Sequence, residues 1–243
     1  CVYDAWQLPM DAALRVESRY FSKILRSKEA AAMIRSLFVS MQELNKGARR
    51  PANVPPTKVK KLAVIGAGFM GASVGFVSAQ AGIDVVLIDR DQDSADKGKG
   101  HAKTMLDGQI AKGRMKQDKA DAILARITAT PDYNAIKDCD LVIEAVFEDR
   151  KVKAETYAKA QPLLREGAIF ASNTSTLPIN SLAEEWKDQS KFIGIHFFSP
   201  VEKMMLVEII VGKNTGDLAL ATALDYVRQI NKTPIVVNDS RGF

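Results

Sequence analysis

The sequence predicts an α/β fold: a doubly wound, mostly parallel sheet wrapped by helices and preceded by an N-terminal helical linker. Three observations carry this. From Lys60 onward, short runs that are apolar on both faces alternate with longer segments of helical period, the pattern of a sheet covered on both sides. A glycine-rich turn follows the first of those runs directly. Ahead of them, residues 11–46 contain neither Gly nor Pro, as a helical segment requires.

In the N-terminal part, Leu14, Phe21 and Leu25, then Ile34, Leu37, Met41 and Leu44, recur at helical spacing. They describe one long helix or two, broken near Ser27, with an apolar stripe that must cover something. "GARRPANVPPT" (47–57) puts three prolines after a glycine and reads as a linker, so the expected division is a helical segment over 1–57 and a sheet domain over 58–243. The expected strands are "KLAVIG", "DVVLID", "RITAT", "DLVIEAV", "AIFASN", "FIGIHFF", "LVEIIVG" and "PIVVND", with helical segments such as 92–117 and 151–164 between them.

Composition closes several routes. Of the 34 basic and 29 acidic residues, 11 and 5 lie in residues 1–60, which gives that segment +6 and the remainder −1. The basic excess thus reads as a solvated helical face. No basic stripe with interleaved aromatics marks a nucleic-acid interface. No apolar stretch reaches the ~18 residues of a membrane span, and charges throughout residues 1–20 exclude a signal peptide. Two cysteines, Cys1 and Cys139, build no disulfide framework and point to a reducing compartment. A first residue of Cys rather than Met suggests a processed chain or a fragment.

Gly66, Gly68 and Gly71 form G-x-G-x-x-G at the end of the first strand. Gly66 makes the tight turn, and Gly68 has no side chain to keep a pyrophosphate off the backbone. Gly71 lets the following helix pack closely, with its N-terminus toward the phosphates. Gly82 ends that helix, and Asp89 falls at the end of the second strand, 18 residues past Gly71, where a carboxylate can accept from a ribose 2′-OH. Strand, glycines, helix, strand and acid in that order read as a Rossmann-like dinucleotide site. Asp89 favours NAD over NADP, because it would repel a 2′-phosphate; Arg90 beside it is the one feature on the other side.

Glu208 sits alone in the apolar run "LVEII". An unpaired buried carboxylate costs several kcal/mol, so it needs a partner, and His196, 12 residues earlier, is the nearest candidate. A lone histidine reads as a satisfied core residue; the carboxylate, the Pro200 turn and the glycine loop reverse that reading. If "FIGIHFF" and "LVEII" pair as neighbours, His196 and Glu208 can meet at their facing ends.

The stretches "VIGAGFMG", "VIEAVFEDRKVK", "FASNTSTLPI" and "GIHFFSPVEKMMLVEII" resemble the L-3-hydroxyacyl-CoA dehydrogenase family, nearest to the dehydrogenase part of the multifunctional fatty-acid oxidation enzymes. The likeness runs from about residue 60 to the end. Residues 13–50 look like the helix that joins the hydratase half to the dehydrogenase half in those enzymes. The resemblance implies NAD-dependent oxidation of L-3-hydroxyacyl-CoA to 3-oxoacyl-CoA in fatty-acid β-oxidation. It makes His196 the general base for the 3-hydroxyl, Glu208 its partner, and Ser175 a hydrogen-bond donor to the reacting oxygen. Met70, Asp89, Glu148 and Lys153 match positions lining the dinucleotide, and Lys112 one that meets a CoA phosphate. Ser199 departs from the family's usual "HFFNP": it can donate from nearly the same place with shorter reach, where nicotinamide or substrate is positioned. Implied partners are an acyl-CoA substrate, hydratase and C-terminal helical domains of the same parent chain, the latter absent here, and a thiolase subunit. The compartment expected is a bacterial cytoplasm ahead of a mitochondrial matrix.

The chemistry of the residues agrees. Oxidation of a secondary alcohol by hydride transfer removes the hydroxyl proton as the C–H bond breaks, and a neutral histidine is the usual acceptor near pH 7. The imidazolium then needs a nearby carboxylate to orient and stabilise it. Two other readings stand beside this one. A lysine-dependent β-hydroxyacid dehydrogenase would lack the His-x₁₁-Glu pair, and an NAD-binding scaffold would bind NADH without turning over acetoacetyl-CoA.

Overall fold

The computed structural model describes residues 1–240 and 242, which fall into two compact units, residues 1–49 and a second beginning at Arg50. The first unit contains helices α1 (Val2–Ala5), α2 (Met10–Leu25), α3 (Lys28–Ile34) and α4 (Ser40–Asn45), with a π-helical stretch over Arg35–Val39. The break falls near Ser27, as expected. Ser27 is extended and its Oγ accepts from the Ala30 amide at 3.1 Å, which satisfies a donor at the start of α3. Leu14, Phe21, Leu25 and Leu37 are exposed over half or more of their surface. Among the described residues no helix is long and apolar enough to cross a membrane.

The second unit is built on strands β1 (Lys61–Ile65), β2 (Asp84–Ile88), β3 (Ile127–Thr130), β4 (Leu141–Glu144), β5 (Ile169–Ser172), β6 (Phe192–Phe197), β7 (Leu206–Val211) and β8 (Thr233–Asn238). Among the described residues they form one sheet in the order β3-β2-β1-β4-β5-β6-β7-β8. Only the β6–β7 pair is antiparallel. Between strands lie α5 (Phe69–Gln80), α6 (Gln92–Ala111), α7 (Gln117–Ala125), α8 (Arg150–Ala160), α9 (Ile179–Ala183) and α10 (Asp217–Gln229). The segment expected to be helical over 92–117 ends earlier, because Gly113 turns into the left-handed region at φ 66° and a new helix starts at Gln117.

Strand side chains divide cleanly between two cores, since successive residues point to opposite faces. Leu62, Val64, Val85, Leu87, Ile143 and Ile195 pack with Phe76 of α5, Leu106 of α6 and Leu224 of α10. Ala63, Ile65, Val86, Val142, Phe170 and Phe192 pack with Tyr157 of α8 and Leu182 of α9. With both faces covered, β1, β4 and β5 are buried almost throughout and show no polar alternation. Each fully buried Leu, Ile or Phe contributes roughly 1.5–3 kcal/mol.

The proline-rich stretch is fastened to α10. Arg50 forks onto Asp225 with two bonds of 2.8 Å, and the Thr57 amide and hydroxyl donate to the same carboxylate. Burial works against ionisation of Asp225, but the guanidinium and the two Thr57 donors outweigh it and hold the carboxyl below its usual range.

Candidate active site

Strand order reverses between β1 and β4, and in open α/β sheets the crevice beyond the carboxyl ends at such a point receives ligands. A cavity of about 930 Å³ lies there, lined in part by Gly66, Gly68, Met70, Asp89, Tyr133 and Glu148. The glycines have distinct reasons. Gly66 is left-handed (φ 101°), and a Cβ on it would stand 2.6 Å from the Ala145 carbonyl. A Cβ on Gly71 would stand 1.8 Å from the Gly66 carbonyl, so α5 can start only against a bare backbone. A Cβ on Gly68 would meet nothing within 4 Å; its cost would fall on whatever fills the open space beside it. Gly68 is the N-cap of α5 without a side-chain cap, so the first amides of the helix have no partner within it and suit a pyrophosphate. Asp89, one residue past β2, accepts from the Ala67 amide at 2.7 Å and from its neighbour Arg90. It therefore fixes the glycine loop while lining the cavity.

On the β4 side, two carboxylates share one buried cation. Lys153, 1% exposed, reaches Glu144 at 2.7 Å and Glu148 at 3.2 Å. Glu144 is fully buried and also accepts from the Val146 amide, the Tyr157 hydroxyl and the Ser172 hydroxyl. Burial opposes ionisation of Glu148, but the Thr174 hydroxyl, Lys153 and the Ser175 amide more than offset it and draw the carboxyl down to about 2. Glu148 thus holds the turn after β5 through Thr174 and the amides of Ser175 (3.0 Å) and Thr176 (3.2 Å). Asn173, in the same turn, accepts from the Phe197 amide at 2.9 Å. The Ser175 backbone is thereby held by Glu148, which itself lines the cavity.

His196 and Glu208 stand directly opposite each other in the antiparallel β6–β7 register, and Nδ1 lies 2.7 Å from Oε2. Their side chains are 14% and 17% exposed, shielded enough for the bond to resist competition from water. The carboxylate only accepts, so Nδ1 donates in this bond. The Phe198 ring packs beside the imidazole at 4.7 Å between centroids.

Of the residues singled out in the sequence, Gly66, Gly68, Met70, Asp89 and Glu148 line the cavity. Gly71 supports the loop, Lys153 lies beneath Glu148, and Ser175 is tied to the same carboxylate. His196 and Glu208 form a pair one strand beyond. Ser199 is exposed in the turn after β6, and Lys112 is exposed at the C-terminal end of α6 with no side-chain bond to this constellation among the described residues.

Residues 61–240 match the family model of the NAD-binding domain of 3-hydroxyacyl-CoA dehydrogenase. The chain belongs to that family. Its matched region is thus the NAD-binding domain of that family, and solved structures agree. The (S)-3-hydroxybutyryl-CoA dehydrogenase of Ralstonia eutropha is 34% identical with a TM-score of 0.75, over 76% of this chain and 66% of that one. FadB2 of M. tuberculosis is 32% identical with a TM-score of 0.74, over 77% and 66%. The dehydrogenase part of multifunctional enzyme 1 of C. elegans is 32% identical with a TM-score of 0.69, over 77% and 43%. The chain therefore spans just under two thirds, or less, of each of these structures.

One residue of the dehydrogenase domain's polar network escaped the sequence reading. Glu144 interrupts the apolar run "LVIEAV" as Glu208 interrupts "LVEII", and it needed a partner on the same grounds. That partner is Lys153, 9 residues on.

Proposed function

We propose that this chain carries out the oxidation of L-3-hydroxyacyl-CoA to 3-oxoacyl-CoA, as the dehydrogenase piece of a multifunctional fatty-acid β-oxidation enzyme. The observation that carries the reading is the His196–Glu208 pair, at 2.7 Å and mostly shielded from solvent, on the same sheet as the NAD crevice. Bound NAD supplies the hydride acceptor. Nε2 of His196 takes the 3-hydroxyl proton, while Glu208 holds Nδ1–H and offsets the charge that the ring acquires. The Ser175 hydroxyl donates to the reacting oxygen, with its backbone held by Glu148. Asp89 receives the ribose hydroxyls, Met70 and Glu148 border the dinucleotide with Lys153 acting on it only through Glu148, which it pairs from beneath, and Ser199 positions the nicotinamide or the substrate. Lys112 meets a phosphate of CoA.

The wider context is part of the same proposal: hydratase and C-terminal helical domains in one parent chain, a thiolase subunit as partner, and a bacterial cytoplasm as compartment. The likeness to the dehydrogenase part of a multifunctional enzyme supports it. Turnover of acetoacetyl-CoA with NADH, measured beside NADH binding, tests the reading. Turnover is expected; binding without turnover, in a chain as long as its relatives, would leave only a scaffold.

A further inference from the structure

The turn between α10 and β8 holds a buried cation that the chemistry above does not use. Lys232 is 8% exposed, and its Nζ donates to the carbonyls of Val201 (2.5 Å) and Met204 (2.6 Å). Among the described residues no carboxylate lies within ion-pair distance of it. Burial draws its ammonium down from the ordinary lysine range, against a weaker opposing pull from Glu202. A buried ammonium held by two carbonyls is costly, and a stable core has no need of one.

What it grips is specific. Val201 and Met204 lie in the connection between β6 and β7, the strands that carry His196 and Glu208. That connection makes one helical turn, with the amides of Lys203 and Met204 donating to the Pro200 carbonyl. Carbonyls at the end of such a turn attract a cation. The next residue, Thr233, donates its amide to Met205 at 2.8 Å, so Lys232 and Thr233 together staple three carbonyls of the connection. At its other end Phe198 lies against the His196 ring.

We propose that Lys232 is a positioning residue for the His196–Glu208 pair, acting through the connection that joins β6 to β7. The ammonium fixes residues 201–204, these fix Phe198, and Phe198 fixes the plane of the imidazole so that Nδ1 faces Glu208. The functional meaning rests on His196 as the base; the structural coupling does not.

The test is nuclear magnetic resonance of the chain with labelled histidine, which has only two such residues, His101 and His196. The unaltered chain should show one tautomer at His196 and a low-field Nδ1–H resonance that disappears in Glu208→Gln. In Lys232→Met that resonance should broaden away and the two tautomers should average, with His101 and the affinity for NADH unchanged. Lys232→Arg, which keeps donors on the side chain, should bring the resonance back. A folded Lys232→Met chain with an unaltered His196 resonance would overturn the proposal and leave Lys232 a purely structural clamp. If Lys232→Met does not fold, Phe198→Ala decides: loss of the resonance upholds the path through the connection, and an unchanged one overturns it. Coupling without turnover would keep the positioning role and remove the catalytic reading, so the two can fail separately.

Discussion

Asp89 accepts from the amides of Ala67 and Arg90 while its carboxylate borders the crevice. A 2′-phosphate brought to it would meet like charge with little room for reorganisation, since the loop it holds is fixed by Gly66 and Gly71. Arg90, the cation that could offset this, directs Nε to Asp91 at 3.1 Å. NADH should therefore bind at least ~10-fold more tightly than NADPH, about 1.4 kcal/mol. Calorimetric titration with both checks it, and equal or tighter NADPH binding would remove Asp89 from its role. Glu148 makes a prediction of a different kind. Its carboxyl is drawn from the usual 4.5 to about 2 in the folded state, so it holds fewer protons folded than unfolded between those values. The stability it contributes is fully present above the unfolded value and is lost as pH falls through that window. Denaturant unfolding at pH 5 and pH 3 should show a smaller drop in Glu148→Gln than in the unaltered chain.

The elements were largely legible in the sequence, for an identifiable reason. All eight expected strands are present, because both-face burial leaves runs such as "KLAVI" and "DVVLI" with no competing helical period. The β6–β7 pairing stood in the sequence as the condition under which His196 could meet Glu208, and the register meets it. The end of α6 was less legible: Gly113 sits in a polar stretch, "AKGRMKQD", where nothing apolar fixes the phase of the helix. The hub at Glu144 was hidden because Lys153 reads as a surface residue of a charged helix start, "EDRKVK", whereas in the fold it is 1% exposed. Removing Glu144 by Ala substitution should cost about 3 kcal/mol or more, because Lys153 keeps only its longer contact with Glu148 in a buried place. Chemical denaturation measures this, and a loss below about 1 kcal/mol would show that the network relaxes around the change. Gly71→Ala should be as damaging at α5: a Cβ 1.8 Å from the Gly66 carbonyl must displace the loop or the helix, so NADH affinity and thermal stability should fall together.

At the scale of the whole molecule, the sheet unit supplies a crevice at the strand-order switch and a shielded His196–Glu208 pair, but the chain spans 66% or less of the solved relatives described above. A substrate cleft needs walls on both sides of the reacting atoms, and a misplacement of about 1 Å can cost 10²-fold in rate. The 243 residues should accordingly bind NADH with ordinary affinity while turning over acetoacetyl-CoA slowly, and extension to the length of the relatives should raise kcat by ~10² or more without changing NADH affinity. Full activity in the shorter chain would contradict that division of labour. The most direct test of the central claim, that His196 held by Glu208 is the base of an NAD-dependent dehydrogenase, is kcat for acetoacetyl-CoA reduction in the extended chain carrying His196→Gln. The account predicts a fall of ~10²–10⁴-fold, the usual worth of a positioned acid–base group, with NADH affinity preserved. A rate equal to that of the unaltered chain would contradict it.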